Sequence, residues 1–277
     1  ILIGTDPDCD RVGIAVLDSG DYTLMTGNEV GCLLLNYVLT TRAELGTLPE
    51  HPVTVKTIVT SDLVLRIAEK FGCEVREVLT GFKYIGEQIG LLEKEGHPER
   101  YVFGFEESYG YLSGTYVRDK DGVNASMLIC EMAAYYKKQG KSLLDVLDAL
   151  YAEFGVYRHI LINAEFEGAE GMTTMHKLME SLRENRPQEI AGLAVTRFSD
   201  YLASRSVDMR TGAETVLTLP KSNVLVFGLE DGAGVIVRPS GTEPKIKAYV
   251  TATGTDKAAA EAMAERLTDA AKELLKA

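Results

Sequence analysis

The feature that most constrains the fold of this chain is a regular alternation of strand and helix patterns. Three β-rich segments alternate with two helical segments, at residues 53–59, 61–72, 74–79, 84–94 and 101–105. Ser61 can cap the first helix, and Gly72 can end it. Because strands joined by helices lie parallel in one sheet, the pattern predicts an α/β fold. We expect a three-layer α/β/α domain with a mixed, mostly parallel sheet.

The flanking segments predict further elements of the same domain. Asn28 can begin a helix, and Ser142 with Asp145 forms the pattern of a capping box. Strands are expected at residues 1–4 and 12–17, and helices at residues 28–41, 125–138 and 143–154.

The character of the sequence changes near residue 165. Residues 165–171 are acidic and contain glycine, which is typical of a linker. The elements expected after it are a helix at 174–185, strands at 194–202, 215–219, 224–229, 235–238 and 246–251, and a helix at 256–275. This order predicts an α+β C-terminal domain with an antiparallel sheet. We therefore expect one domain at residues 27–165 and another at residues 166–277.

Composition limits the classes of partner and the location. The net charge is −12, which repels a nucleic-acid backbone and predicts no nucleic-acid partner. No apolar run approaches the ~18 residues of a membrane span, so no membrane partner is expected. The four cysteines form no C-x-x-C pair, and no secretory leader is visible. These features predict a reduced, cytoplasmic protein.

The first of three loops with candidate functional residues carries three carboxylates. Asp6, Asp8 and Asp10 alternate with other residues, and Pro7 favours a tight loop that brings them together. Three carboxylates that converge repel one another unless a cation lies between them. Oxygen-only ligands suit Mg²⁺. The alternative is a solvated acidic turn, and the adjacent Arg11 is better suited to holding a phosphoryl group than a metal.

The second loop follows the third strand of the alternating unit. Glu106 and Ser108 would project from the same side of it, where ligands bind in parallel sheets. An acceptor beside a hydroxyl suits two adjacent sugar hydroxyls. Lys83, after the preceding strand, and Lys120, on a later turn, are candidate proton shuttles or phosphate contacts. The alternatives are a polar loop that caps the next segment and two ordinary surface charges.

The third loop, residues 237–245, joins two strands and is rich in donors that suit phosphate. Arg238 can grip phosphate with two hydrogen bonds, and Ser240 and Thr242 can donate hydroxyls. Gly241 would let the backbone turn its amides inward as an anion nest. Lys245 adds a cation. The loop is interpreted as a phosphate site, with a plain hairpin as the alternative.

Together the three loops resemble the α-D-phosphohexomutase superfamily, which includes phosphoglucomutase and phosphomannomutase. The motifs D-x-D-x-D-R, E-x-S and R-x-S-G-T occur in that order and at similar spacing, over essentially the whole chain. The resemblance implies four domains in the parent, of which residues 1–26 would be the tail of the second, carrying the metal loop. Residues 27–165 and 166–277 would be the third and fourth, and the missing N-terminal domains would be a partner.

The resemblance also implies a reaction and a role for each residue. The parent would interconvert hexose 1-phosphate and hexose 6-phosphate through a phosphoserine enzyme and a bisphosphate intermediate. No Ser-His dipeptide occurs here, so this piece would lack the catalytic serine and be inactive alone. The implied assignments are metal ligands Asp6, Asp8 and Asp10 for Mg²⁺; catalytic Arg11, Lys83 and Lys120; sugar-binding Gly81, Glu106, Ser108 and Arg118; and phosphate-binding Arg238, Ser240, Gly241, Thr242 and Lys245.

Three other interpretations remain open at this point. The chain can be a non-catalytic module that binds sugar phosphates, or part of a phosphopentomutase. It can also be a metal-dependent phosphatase with Asp6 or Asp8 as nucleophile, although no second carboxylate cluster or lid motif supports that class.

Overall fold

The computed structural model describes residues 1–166, 170–241 and 243–276. It divides into two compact units, Ile1–Phe154 and Gly155–Ala277. Within the described part of the chain, no helix combines the length and the apolar character that crossing a bilayer requires.

The first unit opens with a small antiparallel sheet. Its strands, in spatial order, are β1 (Leu2–Thr5), β2 (Val12–Asp18) and β3 (Asp21–Met25). One face of this sheet is buried through Val12, Ile14 and Val16, as the alternation of apolar side chains along β2 requires. The loop between β1 and β2 is the predicted metal loop, so an antiparallel pair holds both of its ends.

The main sheet of the first unit has four strands in the order β5-β4-β6-β7. Parallel pairing joins β4 to both β5 and β6, and β7 is antiparallel to β6. The strands are β4 (Val53–Thr57), β5 (Glu74–Val78), β6 (Tyr101–Glu106) and β7 (Gly110–Leu112). The helices are α1 (Gly27–Glu44), α2 (Leu63–Lys70), α3 (Phe82–Glu95), α4 (Gly122–Lys138) and α5 (Leu143–Phe154). The predicted mixed, mostly parallel α/β unit is confirmed.

The predicted helix caps are only partly correct. Helix α2 begins at Leu63 with Asp62 as its N-cap, which makes no capping hydrogen bond through its side chain, and the hydroxyl of Ser61, the predicted cap, accepts a 3.2 Å hydrogen bond from the Leu63 amide. The capping box of Ser142 and Asp145 forms as predicted. Helix α1, however, is capped by Thr26, whose hydroxyl accepts the amide hydrogen of Glu29 while the Glu29 carboxylate accepts that of Thr26. Asn28 lies inside the first turn and accepts a hydrogen bond from the amide of Ser61 instead.

The second unit is an antiparallel sheet with two helices packed against it. Its described strands run in the order β12-β11-β10-β13-β14-β15-β8, and β9 pairs with β10. The strands are β8 (Val156–Glu165), β9 (Glu189–Ile190), β10 (Leu193–Asp200), β11 (Arg205–Asp208), β12 (Glu214–Val216), β13 (Leu225–Leu229), β14 (Gly234–Pro239) and β15 (Lys245–Gly254). Helices α6 (Gly171–Glu184) and α7 (Lys257–Leu274) share one core with the sheet, through residues such as Met175, Met179, Ala264 and Leu267.

Strand β8 is the main element that the sequence analysis missed. It pairs with β15 along ten residues, so the segment before the expected boundary near residue 165 lies in the second unit. Arg158 and His159 interrupt its apolar pattern, and β8 stands at the end of the strand order, next to β15. An edge strand of this kind carries a weak sequence signal. Of the expected linker, residues 167–169 lie outside the described residues.

Candidate functional site

The three aspartates of the first loop converge as predicted. One carboxylate oxygen from each of Asp6, Asp8 and Asp10 lies within 4.8 Å of the others. The turn that achieves this is closed by a hydrogen bond of 3.0 Å from the amide of Cys9 to the carbonyl oxygen of Asp6. Cys9 has a φ of 58°, an uncommon value for a residue with a side chain. The loop backbone is therefore bent to place alternate side chains together.

The electrostatics of the loop suit a bound cation. The Arg11 amide donates a 3.1 Å hydrogen bond to Asp6, which holds the pKa of Asp6 below its usual value. Oxygen Oδ1 of Asp10 is buried and accepts no hydrogen bond from any described residue; Nε of Arg11 is 3.8 Å from it. Ligand oxygens around Mg²⁺ lie about 3–4 Å apart, given bonds of about 2.1 Å. The three carboxylates fit such an ion after a small contraction.

Lys120 links the metal loop to the sheet. Its Nζ lies 2.9 Å from Oδ2 of Asp10 and 2.8 Å from Oδ1 of Asp119, and the side chain is 13% exposed. Burial by itself would lower the pKa of Lys120, but hydrogen bonds to Asp119 and Asp10 outweigh it and raise that pKa. The ammonium group also lies 5.8 Å from the ring centre of Phe82. Lys120 is thus fixed beside the aspartates rather than being a surface charge.

Glu106 ends β6, at the carboxyl edge of the main sheet. Its side chain is buried, and Oε1 accepts a 2.8 Å hydrogen bond from the amide of Gly81, which follows β5. Burial raises the pKa of Glu106, while the Gly81 hydrogen bond and the charges of Lys120 and Arg11 oppose the rise. Two strand ends therefore meet at this carboxylate, and Gly110, its partner on β7, lies against the side chain of Lys120.

Close packing fixes the turn from Glu106 to Gly110. The Val12 amide donates a 3.1 Å hydrogen bond to the carbonyl oxygen of Tyr109, so strand β2 and this turn are joined directly. On the other side, a Cβ at Gly27 would lie 2.1 Å from the carbonyl oxygen of Glu107. Glycine at position 27 is what lets α1 begin against the turn. Ser108 is half-buried in the same turn.

The remaining predicted residues of the first unit are less closely associated. Lys83 is exposed at the start of α3, with its Nζ 4.8 Å from the centre of the Tyr84 ring. The guanidinium of Arg118 contacts the carboxylate of Glu93 and the carbonyl oxygen of Thr115. The structure therefore brings together the three aspartates, Arg11, Lys120, Glu106 and Gly81, and places Arg118 in an ion pair with α3.

The third predicted loop lies in the second unit, between β14 and β15. Arg238 is half-buried near the end of β14, and Lys245 begins β15 with its Nζ 2.6 Å from Oε2 of Glu243. The Ser240 amide donates a 2.8 Å hydrogen bond to the carbonyl oxygen of Lys245. Gly241 has no left-handed backbone, and a Cβ there would meet nothing within 4 Å. Thr242 lies outside the described residues.

Residues that the sequence analysis missed lie beside both sites. Lys247 pairs with Arg238 on one side and Asn163 on the other, and directly opposite residues share a face of the sheet. The alternation of Lys245 and Lys247 in the sequence could have indicated this. In the first unit, a Cβ at Gly110 would lie 2.5 Å from Cδ of Lys120, a contact without a sequence signal.

Comparison with known proteins gives a consistent family. The model of the phosphoglucomutase/phosphomannomutase alpha/beta/alpha domain III matches residues 26–154, and that of the C-terminal domain matches residues 161–270. A phosphoglucomutase from Staphylococcus aureus is 41% identical over 252 residues, which are 91% of this chain and 44% of that protein. The chain thus spans less than half the length of this curated relative.

Solved structures share the fold. Parafusin, a phosphoglucomutase from Paramecium in its open form, aligns with a TM-score of 0.67 at 20% identity, over 99% of this chain and 44% of that one. A protein from Thermus thermophilus described as a phosphomannomutase aligns with a TM-score of 0.62 at 23% identity, over 99% and 46% of the two chains.

Proposed function

Because this chain belongs to the phosphoglucomutase/phosphomannomutase family of the α-D-phosphohexomutase superfamily, we propose that it supplies the metal, sugar and phosphate loops of a phosphosugar mutase. The reaction is the interconversion of hexose 1-phosphate and hexose 6-phosphate, of the glucose or mannose type. The observation that carries the proposal is the position of Lys120, which bonds to Asp10 of the aspartate loop and lies against Gly110, the partner of Glu106 across β6 and β7.

Asp6, Asp8 and Asp10 would hold Mg²⁺, as the buried, unbonded oxygen of Asp10 favours. When bound, the ion supplies positive charge that stabilises a phosphoryl group in transfer. Arg11, next to this loop, would contact the same phosphoryl group. Its fork of N–H donors suits phosphate oxygens.

Glu106 would accept hydrogen bonds from sugar hydroxyls, with Ser108 beside it and the Gly81 amide holding the carboxylate in place. Lys120 and Lys83 would contact phosphate or move the proton of the reacting hydroxyl, and Arg118 would contact sugar after leaving Glu93. A reorienting bisphosphate presents both ends of the sugar to one site. Glu106 and Ser108 would therefore bind the hydroxyls that lie in the same place in both orientations of the sugar.

In the second unit, Arg238, Ser240, Gly241, Thr242 and Lys245 would hold the phosphate that is not transferred. The half-buried Arg238 beside an exposed loop supports this assignment. The phosphoryl donor would be a serine outside these 277 residues, since no Ser-His dipeptide occurs among them. We therefore expect the 277 residues alone to bind sugar phosphate without mutase activity, and we place the parent enzyme in the cytoplasm.

Two alternatives make different predictions. A non-catalytic binding module would bind sugar phosphate equally well but would stay inactive when the N-terminal domains are added. A phosphopentomutase would prefer ribose 1-phosphate to the hexose phosphates. The phosphatase alternative predicts an aspartyl-phosphate on Asp6 or Asp8, which acid-quenched mass spectrometry would detect.

Calorimetry tests the proposal directly. Glucose 1-phosphate, mannose 1-phosphate and ribose 1-phosphate are titrated into the chain with Mg²⁺ present, and inorganic phosphate is the control ligand. We expect one hexose phosphate to bind more tightly than inorganic phosphate, and Arg238→Ala to weaken that binding at least tenfold. Equal affinity for inorganic phosphate and all three sugars would contradict the sugar-site assignment.

A further inference from the structure

The segment that leads into α4, including its first residue, holds the metal loop at two points. Nζ of Lys120 bonds to Asp10 at 2.9 Å, and the Gly122 amide donates a 3.1 Å hydrogen bond to the carbonyl oxygen of Cys9. A Cβ at Gly122 would lie 2.6 Å from that carbonyl oxygen. The loop backbone and one of its carboxylates are therefore attached to the same short segment.

The path of the Lys120 side chain depends on the absence of a side chain at Gly110. A Cβ at Gly110 would lie 2.5 Å from Cδ and 2.7 Å from Cγ of Lys120. Non-bonded carbon atoms do not approach each other so closely. Gly110 begins β7, and its φ lies outside the left-handed region, so alanine is compatible with the backbone there. An added methyl group would displace the middle of the lysine side chain rather than the strand.

The two oxygens of Asp10 have different surroundings. Oδ2 is held by Lys120, whereas Oδ1 is buried, accepts no hydrogen bond from the described residues and belongs to the residue that completes the aspartate cluster. The positive charge of a lysine so close to Asp10 would by itself repel a divalent cation bound there. Asp119 bonds to the same ammonium at 2.8 Å, which offsets much of that charge. Lys120 therefore contributes to the loop mainly by holding Asp10 in position, and less by its charge.

We propose that Gly110 and Lys120 form a strut that orients Asp10 toward a bound divalent cation, with Gly110 as a positioning residue that acts through Lys120. The inference rests on the proposed metal site. Hydrogen-bonded neighbours of metal ligands change affinity by about 10- to 100-fold. The two variants Gly110→Ala and Lys120→Met separate position from charge, because only the second removes the positive charge.

The test is a titration of Mn²⁺ into the chain, with free Mn²⁺ measured by electron paramagnetic resonance and the fold checked by circular dichroism. We expect wild type to bind one ion, and Gly110→Ala and Lys120→Met each to bind it about tenfold more weakly. Gly90→Ala is the matched glycine control, since a Cβ there meets nothing within 4 Å. Lys70→Met is the matched lysine control, since Lys70 pairs with Glu153 at 2.9 Å.

The outcomes separate the inference from the function on which it rests. Wild-type affinity in Gly110→Ala, or tighter binding in Lys120→Met, would show that the lysine acts only as a repelling charge and would overturn the strut while leaving the metal site intact. No saturable binding to wild type would remove the proposed metal site and the strut together. If Gly110→Ala fails to fold, Lys120→Met decides by itself, because tighter binding excludes the strut.

Discussion

The backbone amide of Gly81 donates a 2.8 Å hydrogen bond to Oε1 of Glu106, and this bond joins the ends of two strands across a third. Gly81 has φ 121° and ψ 123°, a combination that residues with side chains rarely adopt. The donor that orients the proposed sugar-binding carboxylate therefore depends on glycine.

Gly81→Ala should weaken both the fold and the site. Forcing alanine into this backbone conformation should cost about 1–3 kcal/mol of unfolding free energy, measured by urea denaturation. If the backbone relaxes instead, the hydrogen bond to Glu106 is lost and hexose phosphate binding weakens. Gly90→Ala, in the middle of α3, should be neutral or stabilising, because its Cβ meets no other atom within 4 Å. Unchanged stability and unchanged binding in Gly81→Ala would contradict this account.

Glu106→Gln should change the pH dependence of stability. Burial raises the pKa of Glu106 in the folded state, so its stabilising contribution is fully present below the unfolded value of about 4.3 and is lost as pH rises through the folded-state pKa. Glu106→Gln has no ionisable group at this position, so it does not lose stability in this way as pH rises. Denaturation between about pH 4 and 8 should therefore show Glu106→Gln gaining stability relative to wild type as pH rises. A parallel change in the exposed control Glu87→Gln would contradict the assignment to burial.

Lys56 gives a second test, at high pH. Its fully buried Nζ lies 2.6 Å from Glu77 and 2.9 Å from Asp62. Burial alone would lower the pKa of Lys56, but these carboxylates outweigh it and raise that pKa. The stability it contributes should persist up to the usual lysine pKa of about 10.4 and disappear above it. The difference in unfolding free energy between wild type and Lys56→Met should shrink above that pH, and a constant difference would exclude this role.

Thr26 and Asn28 should differ in a way that separates a helix cap from a tertiary contact. Thr26→Ala removes the capping box of α1 and should cost about 1 kcal/mol. Asn28→Ala leaves the buried Ser61 amide without its acceptor and should cost about 1–3 kcal/mol. If Asn28 were the true cap, Thr26→Ala would have no effect on thermal unfolding.

The sequence predicted what depends on local spacing. The aspartates converge because a short loop between two antiparallel strands holds them. The spacing of Asp6, Asp8 and Asp10 predicted that loop. The position of Glu106 followed from the rule that ligands bind at the carboxyl ends of parallel strands. In both cases a local sequence pattern marks the position, at a short loop between two strands or at the end of a strand.

What the sequence did not indicate depends on contacts between distant segments. Lys83 and Lys120 were assigned the same candidate roles, yet Lys120 reaches Asp10 because Gly110 leaves room for its side chain, whereas Lys83 is exposed at the start of α3. Strand β8 was missed because its pairing with β15 joins residues far apart in sequence. No local pattern encodes either result.

The most direct test of the central claim is to follow amide chemical shifts in ¹⁵N-labelled protein during titration with glucose 1-phosphate, mannose 1-phosphate or inorganic phosphate. The amide of Gly81 reports on Glu106, and the amides of Ser240 and Gly241 report on the phosphate loop. We predict that a hexose phosphate shifts both groups of amides, whereas inorganic phosphate shifts mainly Ser240 and Gly241. If no hexose phosphate moves the Gly81 signal at concentrations that saturate the phosphate loop, the sugar-site assignment is wrong.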